Sequence, residues 1–123
     1  MHLGTPWGAA GLVGIGRDPP PRLAVWRARD RLTLTSLVGP ESTAYASALD
    51  VVGDLAVVGL SDGRLLGWDL AAARLAWTVD DAFDGLVTGV ALVPDGSDWF
   101  LAAAAGPRVR AYRLAAGGVP GGR

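Results

Sequence analysis

Three stretches of this chain repeat the same order of residue types at nearly regular intervals. They are RLAVWRA (22–28), RLLGWDL (64–70) and RVRAYRL (108–114). Each begins with arginine and carries an aromatic residue four positions later, so that the aromatic residues lie 42 and 44 positions apart. These residues are Trp26, Trp68 and Tyr112. A period of this length indicates that one structural unit is built three times, which constrains the fold more than any single motif.

The segments around these stretches recur in the same order. An apolar segment precedes each of them, namely GLVGIGRD (11–18), LAVVGLSD (55–62) and FLAAAAG (100–106). Two pairs of further segments match each other, RLTLTSL with RLAWTVD and YASALDVVGD with GVALVPDGSD. Three families of segments in one fixed order make a chance resemblance improbable.

Each segment has the length and the boundaries of a β-strand. The segments are short and lie between clusters of Gly, Pro, Asp and Ser, which favour turns. Leu32 and Leu34 alternate with Thr33 and Thr35, the period-two pattern of a half-buried strand. Four short strands in a unit of about 40 to 45 residues are typical of a β-propeller blade. We therefore predict an all-β fold of four-stranded antiparallel blades.

The segments predict ten strands in about two and a half blades. With the strands of a blade lettered a to d from the inside outwards, they run b-c-d, a-b-c-d and a-b-c. We expect a partial propeller over residues 9–114, made of blades at about 9–37, 43–80 and 86–114. An N-terminal segment (1–8) and a flexible Gly-rich tail (115–123) flank it.

A propeller needs about 4 to 8 blades to close into a ring, so two and a half blades leave two apolar faces uncovered. Either identical chains close the ring together, or the chain is the C-terminal piece of a longer propeller whose other blades are missing or are supplied by another polypeptide. The end of the chain, after a c strand, has the form of a natural end, whereas its start opens inside a blade. We expect a missing remainder on this ground, with a homo-oligomer as the alternative.

One stretch resembles the WD40-repeat family of propellers. Trp68-Asp69 after Ser61-Asp62-Gly63 looks like the end of a WD40 repeat, and VTGVALVPDG (87–96) is similar to the start of the next one. The resemblance implies a non-catalytic scaffold for protein–protein interactions. It also implies that Ser61, Asp62 and Trp68 take part in a hydrogen-bonded lattice within the blade, although the Gly-His pair of that family is missing here. Asp62 before Gly63 is in any case suited to accept backbone N–H bonds in a tight turn.

A second stretch resembles the repeats of quinoprotein-like (PQQ-type) propellers. In LLGWDLAAARLAWTVDD (65–81), a strand that ends in Asp69 precedes a short turn and a strand that contains Trp77. This resemblance implies the same architecture but an enzymatic propeller, of which this chain would be a portion. A truncated fragment with no activity of its own is a third alternative.

The composition argues against most kinds of catalytic and metal site. The chain contains no cysteine, and its one histidine, His2, lies beside the start. These counts exclude thiolate chemistry and a site with several histidines, and they make a Ser-His-Asp triad improbable. We therefore predict no catalytic, cofactor-binding or metal-binding residues.

Three local patterns suggest ligand sites, but each is better explained by structure. GLVGIG (11–16) is followed by Asp18 and three prolines, which forbid the helix of a dinucleotide fingerprint. DDAFDG (80–85) lacks the glutamate that closes a calcium loop. Arg108, Arg110 and Arg113 lie on one short strand and are not spread along a nucleic-acid-binding surface.

The net charge of −1 gives the chain no global attraction for nucleic acid or anionic lipid. No apolar stretch approaches the ~18 residues that span a membrane, so we expect a cytoplasmic protein without membrane or nucleic-acid partners. In a propeller the d–a and b–c loops share one face of the disc. Here they are 17–21, 38–42, 61–63, 80–85 and 106–107. On that face we predict partner contacts at Arg17, Asp80, Asp81 and Asp84.

Overall fold

The computed structural model of the chain describes residues 2–7, 11–16, 22–27, 34–38, 44–72, 74–95 and 98–114. These residues form eleven strands in three antiparallel sheets. The first sheet contains β1 (His2–Trp7), β2 (Gly11–Gly16), β3 (Arg22–Arg27) and β4 (Leu34–Val38). The second contains β5 (Ala46–Val52), β6 (Leu55–Leu60), β7 (Leu65–Asp69) and β8 (Arg74–Val79). The third contains β9 (Gly89–Asp95), β10 (Asp98–Ala105) and β11 (Arg108–Leu114).

In every sheet, strands that are consecutive in sequence are neighbours in space. Tight turns make this possible, and three of them contain a glycine at positive φ, of which Gly53, between β5 and β6, has a φ of 58°. Gly63, between β6 and β7, has a φ of 95°, and Gly106, between β10 and β11, has a φ of 63°. Side chains other than hydrogen are disfavoured at such angles. A turn with a glycine at positive φ therefore recurs in the second and third sheets, at the b–c position that the repeat predicts.

The three sheets are arranged like successive blades. β5 contacts β1 and β2 of the first sheet on one side and β9 of the third sheet on the other. The first strands of the three sheets are thus neighbours, and the later strands lie progressively further from them. This is the arrangement of a propeller, in which strand a is innermost.

The hydrophobic core lies on the two faces of the second sheet. Along β6, Ala56 and Val58 belong to a cluster that includes Ile15 of the first sheet, whereas Val57 belongs to a cluster with Leu92 and Leu101 of the third. Successive side chains of a strand point to opposite faces, so a strand that is covered on both faces, as β6 is, reads as a near-continuous apolar run.

A β-bulge in β5 adjusts which side chains reach each cluster. Ala46 pairs with Leu60 and Ala48 with Gly59, so the register shifts between them at Ser47. As a result Ala46 lies in the cluster beside the first sheet, while Ala48 lies in the cluster beside the third. Without the extra residue, both alanines would occupy one face.

The all-β propeller-type class predicted from the sequence is confirmed, with one difference in the first blade. That blade has four strands and not three, because His2–Trp7 pairs with Gly11–Gly16. The repeat pattern predicts an N-terminal segment over residues 1–8 outside the blade. Gly4 and Pro6 give this segment a low strand propensity, and it nevertheless pairs as a strand. As an edge strand β1 tolerates proline, which has no N–H to donate to the ladder. The run of alanines at 102–105 is a strand, as expected.

No helix occurs among the described residues, and hence none that is long and apolar enough to cross a membrane.

Candidate interaction surface

The turn between β6 and β7 is fixed by its own hydrogen bonds. The Leu60 N–H donates to the Arg64 carbonyl at 2.9 Å, and the Gly63 N–H donates to the Leu60 carbonyl at 3.1 Å. Asp62 Oδ1 accepts the Arg64 N–H at 3.3 Å, and its carboxylate accepts the Arg64 guanidinium at 3.0 Å. This is the type of contact expected from an Asp-Gly turn. The hydrogen bonds of the Asp62 carboxylate therefore stabilise the turn.

The connection from β8 to β9 packs against that turn. The Phe83 N–H donates to the Gly63 carbonyl and the Val87 N–H to the Leu60 carbonyl, each at 3.1 Å. The side chains of Ala82, Phe83 and Val87 are buried in the cluster between the second and third sheets. Two backbone hydrogen bonds and three buried side chains therefore hold this connection in one conformation.

The third sheet reaches the same place from the other side. The Arg108 guanidinium lies 3.1 Å from Asp84 Oδ1, and the Arg110 guanidinium lies over the Phe83 ring at 5.8 Å. The Thr88 N–H donates to the Ala104 carbonyl at 2.8 Å. We call the surface formed by residues 61–64, 80–88 and 106–108 the loop face. Three of the loops predicted to share one side of the disc, 61–63, 80–85 and 106–107, do meet here.

The loop face exposes three carboxylates and one apolar side chain. Asp80, Asp81 and Asp84 are exposed, and Leu86 is 40% exposed. Asp84 is paired with Arg108, and among the described residues no ion pair involves Asp80 or Asp81. The arrangement can therefore offer two unneutralised carboxylates and an apolar contact on a fixed backbone. Arg17 and the loops at 17–21 and 39–42 lie outside the described residues, so the predicted contact at Arg17 remains a prediction.

Sequence reasoning missed Leu86 because the connection reads as a solvated loop. The signal was the apolar pair Leu86-Val87 within an otherwise polar stretch. One member of such a pair fills the core and the other faces water, and here Val87 is the buried one.

The three aromatic repeat positions have equivalent places in the sheets. Trp26 pairs with Leu12, Trp68 with Ala56 and Tyr112 with Leu101, each on the third strand of its sheet. Trp68 lies in the cluster beside the first sheet, and Tyr112 packs against the cluster beside the second. Each of these two side chains therefore faces the preceding sheet. Asp69, next to Trp68, ends β7.

Ser61, Asp62 and Trp68 do not form the hydrogen-bonded lattice that the WD40 resemblance implied. Ser61 Oγ accepts the Tyr45 N–H at 3.0 Å, and Asp62 is bonded to Arg64. The indole N–H of Trp68 is buried without a partner in the described structure. Ser61 is thus bonded to the chain that enters β5 and not to the indole.

The segment that resembles quinoprotein-like repeats (65–81) has a closed turn at Asp69 and a packed tryptophan at Trp77. Asp69 Oδ1 accepts the Ala72 N–H at 3.1 Å and closes the turn into β8. The register shifts by one residue after the Gly67–Trp77 pair, and the Trp77 indole covers Gly67. This tryptophan packs in the cluster between the second and third sheets.

Within the part of the chain that the structure describes, no group of three or more His, Asp or Glu side chains is placed to hold a metal ion.

The sequence matches no family model and no curated protein sequence. Solved structures share the fold at low identity. The crystal structure of the computationally designed Ika4 protein has a TM-score of 0.66 and 19% identity, over 87% of this chain and 62% of that one. The designed Ika8 protein has a TM-score of 0.64 and 22% identity, over 87% of this chain and 31% of that one. Sqt1 of Saccharomyces cerevisiae has a TM-score of 0.62 and 17% identity, over 98% of this chain and 33% of that one. This chain therefore spans less than two thirds of each structure and has a propeller-like fold.

Proposed function

We propose that this chain is a non-catalytic, WD40-type propeller segment that serves as a scaffold for protein–protein interactions, with the loop face as its binding surface. The observation that carries the proposal is the fixed position of residues 80–88 on the turn at 61–64. A loop that is already ordered loses little conformational entropy on binding, so its exposed groups act as preformed contacts.

The chemistry of the loop face indicates what it binds. Asp80 and Asp81 attract cations, and Leu86 in the same connection offers an apolar contact of the kind that supplies affinity. A segment that carries arginine or lysine next to an apolar side chain complements both features. We therefore propose a protein partner with a basic, partly apolar segment.

The resemblance to WD40 repeats is supported by the Asp62-Gly63 turn and by the place of Trp68, but the unpaired indole of Trp68 does not support it. The closed turn at Asp69 and the packing of Trp77 fit the quinoprotein-like repeat. Both repeats build the same blade. The proposal therefore rests on the loop face and not on the choice between them.

Quantitative affinity capture tests the proposal. The immobilised full chain is exposed to an extract of its source cells, and bound proteins are measured by mass spectrometry. We expect Asp80→Asn combined with Asp81→Asn, and separately Leu86→Ser, to reduce the same set of bound proteins at least tenfold. Asp54→Asn is the matched control, because Asp54 lies in the turn at the opposite end of the second sheet. Equal capture by all variants would disprove the role of the loop face.

A further inference from the structure

Two Asp-Gly pairs lie within the loop face, and their surroundings differ. Asp62-Gly63 forms the turn between β6 and β7, whereas Asp84-Gly85 lies in the connection from β8 to β9. In an Asp-Gly pair the main-chain nitrogen of the glycine can approach the side-chain carboxyl group of the aspartate closely, because the glycine has no Cβ that hinders the approach. The two pairs therefore carry the same reactive groups in two different folded environments.

The pair Asp62-Gly63 is fixed by several contacts. The Gly63 N–H donates to the Leu60 carbonyl at 3.1 Å. The Asp62 carboxylate accepts hydrogen bonds from the N–H and from the guanidinium of Arg64, and its side chain is 43% exposed. The Phe83 carbonyl occupies the space where a Cβ of Gly63 would lie. Several hydrogen bonds must therefore break before the Gly63 nitrogen can reach the Asp62 carboxyl carbon.

The pair Asp84-Gly85 is held much less tightly. The N–H groups of Phe83 and Val87 anchor the connection on its two sides, but neither the Asp84 N–H nor the Gly85 N–H donates a hydrogen bond within the described structure. The Asp84 side chain is 84% exposed, and the Arg108 side chain that it contacts at 3.1 Å is 61% exposed. Ion pairs between groups this exposed are weak. A Cβ at Gly85 would meet nothing within 4 Å, so the space beside this residue is open.

We propose that Asp84-Gly85 is a modification site of the loop face, at which Asp84 converts spontaneously to isoaspartate. The Gly85 nitrogen attacks the Asp84 carboxyl carbon, so that an N–Cγ bond forms and a Cγ–O bond breaks. The departing oxygen leaves as water with the N–H proton and one proton from solvent. Water then opens the resulting succinimide ring and the proton returns to solvent. Opening at the Cγ carbonyl restores aspartate, whereas opening at the main-chain carbonyl gives isoaspartate, and no step oxidises or reduces a group.

Isoaspartate alters the loop face at a defined place. It adds one methylene group to the main chain between the anchors at Phe83 and Val87, and it attaches the carboxylate of residue 84 directly to Cα. The connection is then longer than the distance that the two anchoring hydrogen bonds span in the unmodified chain. Any effect on a bound partner rests on the proposed function, whereas the modification itself does not.

Incubation of the folded full chain at neutral pH tests the proposal. Tryptic peptides are analysed by mass spectrometry with electron-transfer fragmentation, which distinguishes isoaspartate from aspartate at each position. We expect isoaspartate to form at Asp84 about tenfold faster than at Asp62 or more, because two or three hydrogen bonds must first break at Asp62. Asp81, which is exposed but precedes Ala82, is the internal control and should remain aspartate. Equal rates at Asp62 and Asp84 in the folded chain would overturn the proposal.

The same measurement on the unfolded chain separates the effect of the fold from that of the sequence. In denaturant, Asp62 and Asp84 should form isoaspartate at similar rates, because none of the contacts at Asp62 remains. A rate at Asp84 that is still about tenfold higher in the unfolded chain would show that the fold does not cause the difference, and would contradict the proposal.

A substitution at the attacking residue tests the chemistry. Gly85→Ala should remove most of the isoaspartate at Asp84 in the folded chain, because the added methyl group hinders the approach of the nitrogen. Gly89→Ala is the matched control and should leave the rate unchanged. A Cβ at either glycine meets nothing within 4 Å, so both variants keep the fold. Unchanged isoaspartate in Gly85→Ala would mean that the Gly85 nitrogen is not the attacking group. Partner capture plays no part in these measurements, so failure of this proposal is distinguishable from failure of the proposed function.

Discussion

The indole of Trp77 lies directly over Gly67, in the space that a Cβ atom at that position would occupy. The two residues are opposite each other on β7 and β8, at the point where the register then shifts. The pair fills the cluster between the second and third sheets, and Trp77 is 9% exposed. The Trp77 ring thus packs into the space that is free because Gly67 has no side chain.

Gly67→Ala should destabilise the fold, because the added methyl group collides with the ring and Trp77 must move. Overpacking of this kind costs about 1–3 kcal/mol. Denaturant unfolding at fixed chain concentration measures the cost. Gly85→Ala is the control, since a Cβ there meets nothing within 4 Å and its φ is not in the left-handed region. Equal effects of the two substitutions would show that Trp77 does not occupy this space.

Asp50 connects the second sheet to the third. Its Oδ2 accepts the Leu92 N–H at 2.7 Å, and its Oδ1 accepts the N–H of Val51 at 3.0 Å. Asp50→Ala should reduce the free energy of unfolding by about 1.5–3 kcal/mol, the usual range for a hydrogen bond to a charged group. It should also speed hydrogen exchange at the Leu92 amide, which NMR reports directly. Asp81→Ala removes an exposed carboxylate and should change neither quantity.

Asp50 also shows what the sequence could not predict. The repeat predicted β5 and β9 as equivalent strands, and their register confirms this. Counted from the aromatic repeat positions Trp68 and Tyr112, the register places Ala91 of β9 at the position of Asp50, whereas the aligned sequence segments place Pro94 there. Neither residue is acidic, so the polar contact between sheets is absent from the repeat pattern.

The bulge at Ser47 determines which face of the sheet Asp50 occupies. The Ser47 hydroxyl in turn donates a hydrogen bond to the Val87 carbonyl at 2.6 Å. Such contacts depend on tertiary packing, which local periodicity does not encode.

The loop face likewise combines features that local sequence patterns predict with features that depend on tertiary packing. Turn residues predicted the hairpin at 61–64, and blade topology predicted that 80–85 would lie beside it. The exposure of Leu86 and the pairing of Asp84 with Arg108 depend on which side chains the neighbouring sheet leaves room for. The sequence therefore predicted the place of the surface and most of its backbone, but not its apolar contact.

Trp68→Phe should be nearly neutral, although Trp68 is only 2% exposed. Its indole N–H is buried without a partner in the described structure, so removing it relieves a desolvation cost of about 1–3 kcal/mol. The smaller ring leaves a cavity of similar cost, and we expect a net change within about 1 kcal/mol. Trp68→Ala, which keeps neither ring nor packing, should cost about 3–5 kcal/mol. A large loss for the phenylalanine variant would mean that the N–H has an acceptor.

Gly63→Ala should cost more than Gly106→Ala, although both glycines have positive φ in equivalent turns. The angle alone costs about 1–2 kcal/mol for a residue with a side chain. A Cβ at Gly106 meets nothing within 4 Å, whereas one at Gly63 would collide with the Phe83 carbonyl. Only Gly63→Ala must therefore also displace the connection at 80–88. Chymotrypsin should therefore cleave after Phe83 faster in Gly63→Ala than in Gly106→Ala, as followed by mass spectrometry. Since Phe83 is 6% exposed, cleavage there reports release of the loop face from the turn. Equal cleavage of the two variants would show that the turn does not hold the connection.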